Sequence, residues 1–329
     1  MSSKRLSVAL LCAAVLIFAP HLRAESKIPD EARAAFAAGE YSKAIDILNR
    51  EAASSPRDAA VQHLLARCYF ESEQFDRAIP AAEAAISLDS GNSAYHELLG
   101  RAYGEKADRS GWWSGLSLAK KARKEFETAV QLDEHNFSAM QALIEFDCSA
   151  PGIAGGGEDK ARPEIERLSA LEAAEGRYGA GNCRRQKKDF AAADVEFRKA
   201  LDLHPKSADL IFDIGDHYMK RNQADRLELV IEEGERVAPS DPRGNFFRAV
   251  AYTLERKNPA EATRLFRDYL AKAPKRNNYP SKAMAHYWLG RVEENSGKTA
   301  SAKREYQEAL NLEPKNRFAN EALKRLRHD

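Results

Sequence analysis

The chain has almost no net charge: 51 Lys+Arg stand against 50 Asp+Glu in 329 residues, a balance of +1. That excludes a dedicated nucleic-acid binder, which carries a marked basic excess. Cysteine is scarce, four residues with no pair at metal-ligand spacing, so neither a zinc site nor a dense disulfide framework is expected. Tryptophan is scarcer still, and two of the three stand side by side as Trp112-Trp113. Long apolar runs are missing except near the start. There Lys4-Arg5 precedes residues 6–19, an apolar run too short to span a bilayer comfortably, and Pro20 and Leu22-Arg23-Ala24 follow it. This is the layout of a secretory signal peptide over residues 1–24. Cys12 follows Leu11 rather than the small residue that lipoprotein signals place before their cysteine, so no lipid anchor is expected. Removing residues 1–24 takes away three cations and no anion and moves the net charge to −2. The expectation is a protein exported to a bacterial periplasm and not transmembrane once processed. Cys68, Cys148 and Cys183 then remain, an odd number for an oxidising compartment. Buried free thiols and a Cys148–Cys183 disulfide are both open readings.

Catalytic patterns are also missing. His96-Glu97-Leu98-Leu99-Gly100 begins like a zinc-protease motif, but Gly100 stands where the second histidine must share the helix face. Gly152-Ile153-Ala154-Gly155-Gly156-Gly157 has the glycine spacing of a phosphate loop. Glu158 and Asp159 follow it where Lys and Ser/Thr are required, and carboxylates repel phosphate. No nucleophile elbow and no Cys/His protease pattern occurs. The expectation is a non-enzyme with no catalytic residues, no cofactor and no metal.

What is present is a period. Ala44 and Ala78, Ala66 and Gly100, Tyr69 and Tyr103, and Pro205 and Pro239 are each 34 residues apart. Residues 59–92 hold one full unit. An apolar helix face at Leu64, Leu65, Cys68 and Tyr69 precedes a polar turn, and a second face follows at Phe75, Ala78, Ile79, Ala82, Ala85 and Ile86. Both have the three-four spacing of an amphipathic helix. The unit resembles the tetratricopeptide repeat, a helix–turn–helix of this length. The family's small residues at its eighth, twentieth and twenty-seventh places match Ala66, Ala78 and Ala85, then Gly100, Ala122 and Ala129, and finally Gly290, Ala302 and Ala309. Pro56, Pro205, Pro239, Pro274 and Pro314 sit after second helices, as the family favours. The family's Trp at the fourth place is replaced by Gln62, His96, Met140 and His286. The resemblance implies an all-α, right-handed superhelix of about eight repeats over residues 25–316, with a capping helix in 317–329. Stacked repeats imply one continuous core, and the inner surface implies a peptide- or protein-binding groove.

In that groove the fifth and ninth places hold His63, Arg67, Glu97, Arg101, Gln141 and Glu145. This set does not copy the family's two-carboxylate clamp for chaperone tails. Further along, the groove is expected to turn aromatic toward Phe212, Phe246, Phe247 and Tyr287. Two insertions fall in consecutive helix–helix turns, residues 107–116 with Trp112 and Trp113, and a second within 151–160. They should be neighbours along one edge. The tryptophans either fold back and plug the end of the helix pair or stand out as a partner-binding loop. The same edge becomes basic at Arg184, Arg185, Lys187 and Lys188. The partner-binding candidates are therefore Trp112, Trp113, the six groove residues and these four cations. The functional expectation is an adaptor for another envelope protein or peptide. The alternative is an accessory subunit of a polysaccharide synthesis or export machine, or a binder of an anionic glycan or lipid surface.

Overall fold

The computed structural model describes residues 28–326, so the signal-peptide expectation for 1–24 lies outside the described residues. Those residues form seventeen α-helices and no strand. Sixteen helices pair into eight hairpins: α1 (Asp30–Ala37) with α2 (Tyr41–Ser54), α3 (Ala59–Glu71) with α4 (Phe75–Leu88), α5 (Ser93–Asp108) with α6 (Trp112–Leu132), and α7 (Phe137–Ser149) with α8 (Glu158–Leu171). Then come α9 (Ala173–Gln186) with α10 (Phe190–Asp202), α11 (Ala208–Lys220) with α12 (Ala224–Val237), α13 (Pro242–Glu255) with α14 (Pro259–Lys272), and α15 (Lys282–Asn295) with α16 (Thr299–Leu312). Helix α17 (Arg317–Arg325) closes the stack, and the whole is an α-helical-repeat solenoid.

Local chemistry sets these boundaries. Asp58, Asn92, Asn136, Ser207, Asp241 and Ser281 cap the first helices of their hairpins by accepting from backbone N–H groups of the first turn. Each such cap stabilises its helix by about 1 kcal/mol. The regular turns within hairpins instead pass through the left-handed region at Gly39, Glu73, Lys188, Asn222 and Gly297. Within a hairpin the helices touch closely. A Cβ on Gly100 would lie 2.6 Å from the Phe126 ring, and one on Gly290 2.5 Å from the Tyr306 ring. Only glycine leaves room for those aromatics.

The core departs from the expected single column. Buried apolar side chains form three clusters, the first running from Ala32 to Cys183, the second from Ala193 to Val292 and the third from Ala283 to Leu326. The first break falls at α9, where Gly176 and Gly179 carry no side chain and Gly181, like Gly100, makes room for a ring, here Phe197. Glycine contributes no side chain to bury, so the apolar column thins there. A covalent link spans the thin joint, because Cys148 of α7 and Cys183 of α9 form a disulfide with Cα atoms 5.2 Å apart. Cys68 is a buried free thiol, and burial pushes it up to about 12.

Two inserted segments behave differently from plain loops. In the third hairpin, α5 has 16 residues and α6 has 21, against 13 and 14 in α3 and α4. The insertion therefore lengthens both helices instead of forming a loop, and the extra two turns of α6 project by about 10 Å. The nine residues 273–281 between α14 and α15 turn inward instead. There the Tyr41 hydroxyl donates to the Lys275 carbonyl. The Asn277 N–H donates to Glu71 Oε2 (3.2 Å), and the Arg276 guanidinium lies 5.7 Å from the Phe36 ring centre. The first two hairpins thus meet the junction between the seventh and eighth, and the solenoid closes on itself. On its other side the segment is held by Arg243, which bonds the Asn278 carbonyl, pairs with Asp209 and Asp241, and stacks on Tyr279 at 4.3 Å.

Candidate functional site

The C-terminal turns of four successive first helices, α3, α5, α7 and α9, meet the extended hairpin at a cleft of about 560 Å3. The two inserted segments do lie side by side here, because the 3₁₀ turn Gly152–Ala154 packs on α6. That turn is held in place from below. The Gly157 N–H donates to the Asp147 carbonyl, and Arg123 of α6 donates to both carboxylate oxygens of buried Asp147 (2.9 and 3.3 Å). Burial pushes the Asp147 carboxyl up, with Arg123 opposing it.

Much of the cleft lining is apolar: Phe70, Trp112, Leu116, Phe146, Pro151 and Ala154. The plug reading of the tryptophans fails. Trp112 is 64% exposed and Trp113 80%, and nearby Ile153 is 60% exposed. They sit on the first turn of a helix that rises past its neighbours, so no second helix is there to cover them. The same lining carries three carboxylates, Glu105 and Asp108 of α5 and Glu145 of α7. Its one cation, Arg101, already pairs with Glu97 (2.9 Å) and donates to Ser138 Oγ (2.8 Å). Protein crowding the cleft pushes the Glu105 and Glu145 carboxyls up. Arg109 opposes this at Glu105 and Arg185 at Glu145, while Asp108 adds to it at both. Burial also acts to raise Glu97, but Arg101 and Ser138 outweigh it and hold that carboxyl low.

Trp112, Arg101 and Glu145 therefore share one cleft, with Trp113 exposed beside Trp112. The other groove candidates are engaged elsewhere. The His63 ring lies 4.7 Å from the Tyr95 ring, and burial lowers its pKa to about 4. Arg67 stacks on Phe36 at 4.5 Å, beside the inward segment. Gln141 donates to Glu175 (2.9 Å). The basic run is split by helical geometry. Arg185 pairs with Asp213 (2.9 Å), which also accepts from Tyr178, whereas Arg184 and Lys187 border a separate small cleft against α8. Lys187 pairs there with Glu158, and Lys188 is an exposed turn residue. The groove does not turn aromatic as expected: Phe212, Phe246 and Phe247 are core residues at 0–2% exposure, and Tyr287 is half-buried. Phe70, Glu105, Asp108 and Gln186 escape a reading confined to the fifth and ninth places. They occupy the last one or two turns of the same helices. Among the described residues no group of three or more His, Cys, Asp or Glu is arranged to hold a metal ion. No described helix is long and apolar enough to cross a membrane.

Family models described as tetratricopeptide repeat match residues 32–102 and 283–316. No curated protein matches the chain. Among solved structures, a thermophilic TPR protein of Thermus thermophilus is similar at 19% identity and a TM-score of 0.45, over 54% of this chain and 91% of that one. A tetratricopeptide repeat protein from Parabacteroides merdae is similar at 12% identity and 0.43, over 91% and 97%. The Cut9-Hcn1 hetero-tetramer of the APC/C is similar at 14% and 0.49, over 90% and 54%.

Proposed function

The chain is a tetratricopeptide-repeat protein, and from that premise we propose that it is a non-catalytic scaffold holding a partner protein in the cell envelope. Repeats of this kind present stacked helices as a binding surface, and specificity comes from exposed side chains that obey no period. The observation that carries the reading is the exposed Trp112-Trp113 pair, on helical turns added to one hairpin, beside a cleft that cuts into the stack. Exposed tryptophans are rare on a surface with no partner and dominate binding energy at interfaces. Export is supported by the signal-like residues 1–24, and the Cys148–Cys183 disulfide suits an oxidising compartment.

An anionic glycan or lipid at the basic edge has less support. Two of its four cations, Arg185 and Lys187, already have carboxylate partners. The test is an in-cell crosslink of the exported protein beside a Trp112→Ala/Trp113→Ala variant of equal melting temperature. Capture of one defined envelope protein by the wild type, lost from the variant, is expected. Equal capture by both would remove the tryptophans from the site.

A further inference from the structure

The cleft lining combines two kinds of side chain, and together they restrict what can fill it. Phe70, Leu116, Phe146 and Pro151 present carbon, and Trp112 adds a ring that is 64% exposed. Glu105, Asp108 and Glu145 share the same lining, where Asp108 adds to the rise of both glutamates; Glu145 accepts from Gln186 (3.2 Å) and feels Arg185, which is itself paired with Asp213. Arg109 approaches Glu105 only to 3.8 Å and is shared with Glu73, and Arg101 is committed to Glu97. A ligand with apolar side chains alone would leave those three carboxylates without a cation of its own. An anionic ligand would be repelled by them.

We propose that the cleft receives a short segment of a partner protein in which aliphatic or aromatic side chains are flanked by lysine or arginine. The apolar side chain seats against Trp112, Leu116 and Phe146. The cation reaches Glu105, Asp108 and Glu145, relieving their mutual repulsion, and a neighbouring cation can stack on the exposed face of Trp113. The volume suits a few side chains rather than a folded domain. Three carboxylates in the lining oppose an anionic bilayer, and a cleft that cuts between α5, α6 and α7 does not fit a flat one. The inference rests on the scaffold reading and adds the chemistry of the bound segment.

The probe is a set of synthetic peptides of phenylalanine or leucine flanked by lysine, with a matched set in which glutamate replaces lysine. Each is titrated into the full-length protein while tryptophan emission is followed. Trp288 is 3% exposed, so a shift reports on Trp112 and Trp113. Lysine peptides should bind with a blue shift and exceed their glutamate counterparts by more than about tenfold in affinity. Binding should weaken by about tenfold or more in Glu105→Gln/Glu145→Gln and in Trp112→Ala. Both variants alter exposed side chains, so unchanged circular dichroism and melting confirm that they fold. Equal binding of the two sets, indifference to the Glu→Gln changes, or no binding of lysine peptides below about 1 mM would each overturn the proposal. So would Trp112-dependent sedimentation with phosphatidylglycerol vesicles in place of peptide binding. If the in-cell crosslink still captures a partner through the tryptophans when the peptides fail, the scaffold reading stands and only the chemistry assigned to the segment falls.

Discussion

Two insertions into the same repeat pattern have opposite consequences. In the third hairpin the extra residues lengthen helices, carry Trp112 and Trp113 beyond their neighbours and leave them in water. Between the seventh and eighth hairpins the extra residues turn inward and are bound on both sides, by Arg243 and by the first two hairpins. The difference lies in where each insertion falls. A turn within a hairpin sits at the rim, where added helix has nothing to pack on. In the closed solenoid the 273–281 junction faces the opposite end of the stack, and its polar groups find partners there. The outward insertion has the character of a binding element, whereas the inward one is a structural tie.

The largest effect should come from cutting the tie. Arg243→Ala leaves the largely buried Asp241 carboxylate without its main partner, and about 3–5 kcal/mol of stability should be lost. Urea unfolding followed by Trp288 on neighbouring α15 measures it. A loss below about 1 kcal/mol would mean that Arg243 does not hold the segment. Breaking the Cys148–Cys183 link should come next. Its ends are 35 residues apart, so the chain-entropy estimate is about 3–4 kcal/mol. Cys148→Ala/Cys183→Ala should also make the thin joint at α9 exchange its amide hydrogens faster than either flanking cluster.

A third effect depends on pH. Burial of His63, helped by Arg67 and opposed by Glu97, lowers its pKa to about 4 from 6.5. Below 6.5 the unfolded chain binds a proton that the folded site refuses, so stability falls as pH drops from about 6.5 to about 4. His217 is also lowered and has the same sign, so it is the comparison with His63→Gln that isolates one site. That variant should flatten the slope by on the order of 1–2 kcal/mol, after discounting for partial exposure. An unchanged slope would place the His63 ring in water. Smaller again is Tyr41→Phe, which removes one hydrogen bond to Lys275. The loss should be about 1 kcal/mol, with faster amide exchange near Asn277. Smallest is Trp112→Ala/Trp113→Ala, expected within about 0.5 kcal/mol because neither ring is covered. A drop of several degrees in melting temperature would put the rings back in the core.

The hairpins were legible because each depends on neighbours in the chain. Helix faces repeat every three to four residues, a cap such as Asp58 acts within one turn, and Gly100 and Phe126 meet inside a single hairpin. The insertion at 107–116 was legible as extra length but not as helix, since a polar, glycine-containing stretch resembles a loop until α5 is seen to end, and α6 to begin, within it. The aromatics at Phe246 and Phe247 were misplaced for a related reason. Adjacent positions both became core because α13 is buried on nearly every side, and helical spacing alone reports only one face. The basic run from Arg184 to Lys188 looked like one patch in the sequence. The helix end divides it, directing Arg185 to Asp213 and Lys187 to Glu158.

The sequence by itself determined the all-α class, the 34-residue repeat, the hairpins and the terminal helix, because these follow from short-range packing and hydrogen bonding repeated along the chain. The tertiary structure alone decided that Tyr41 would meet Lys275 and that Phe70, Glu105, Phe146 and Trp112 would line one cleft. It also decided that the glycines of α9 would interrupt the core. These outcomes depend on small rotations added from repeat to repeat, and that sum is set by the packing at every joint at once.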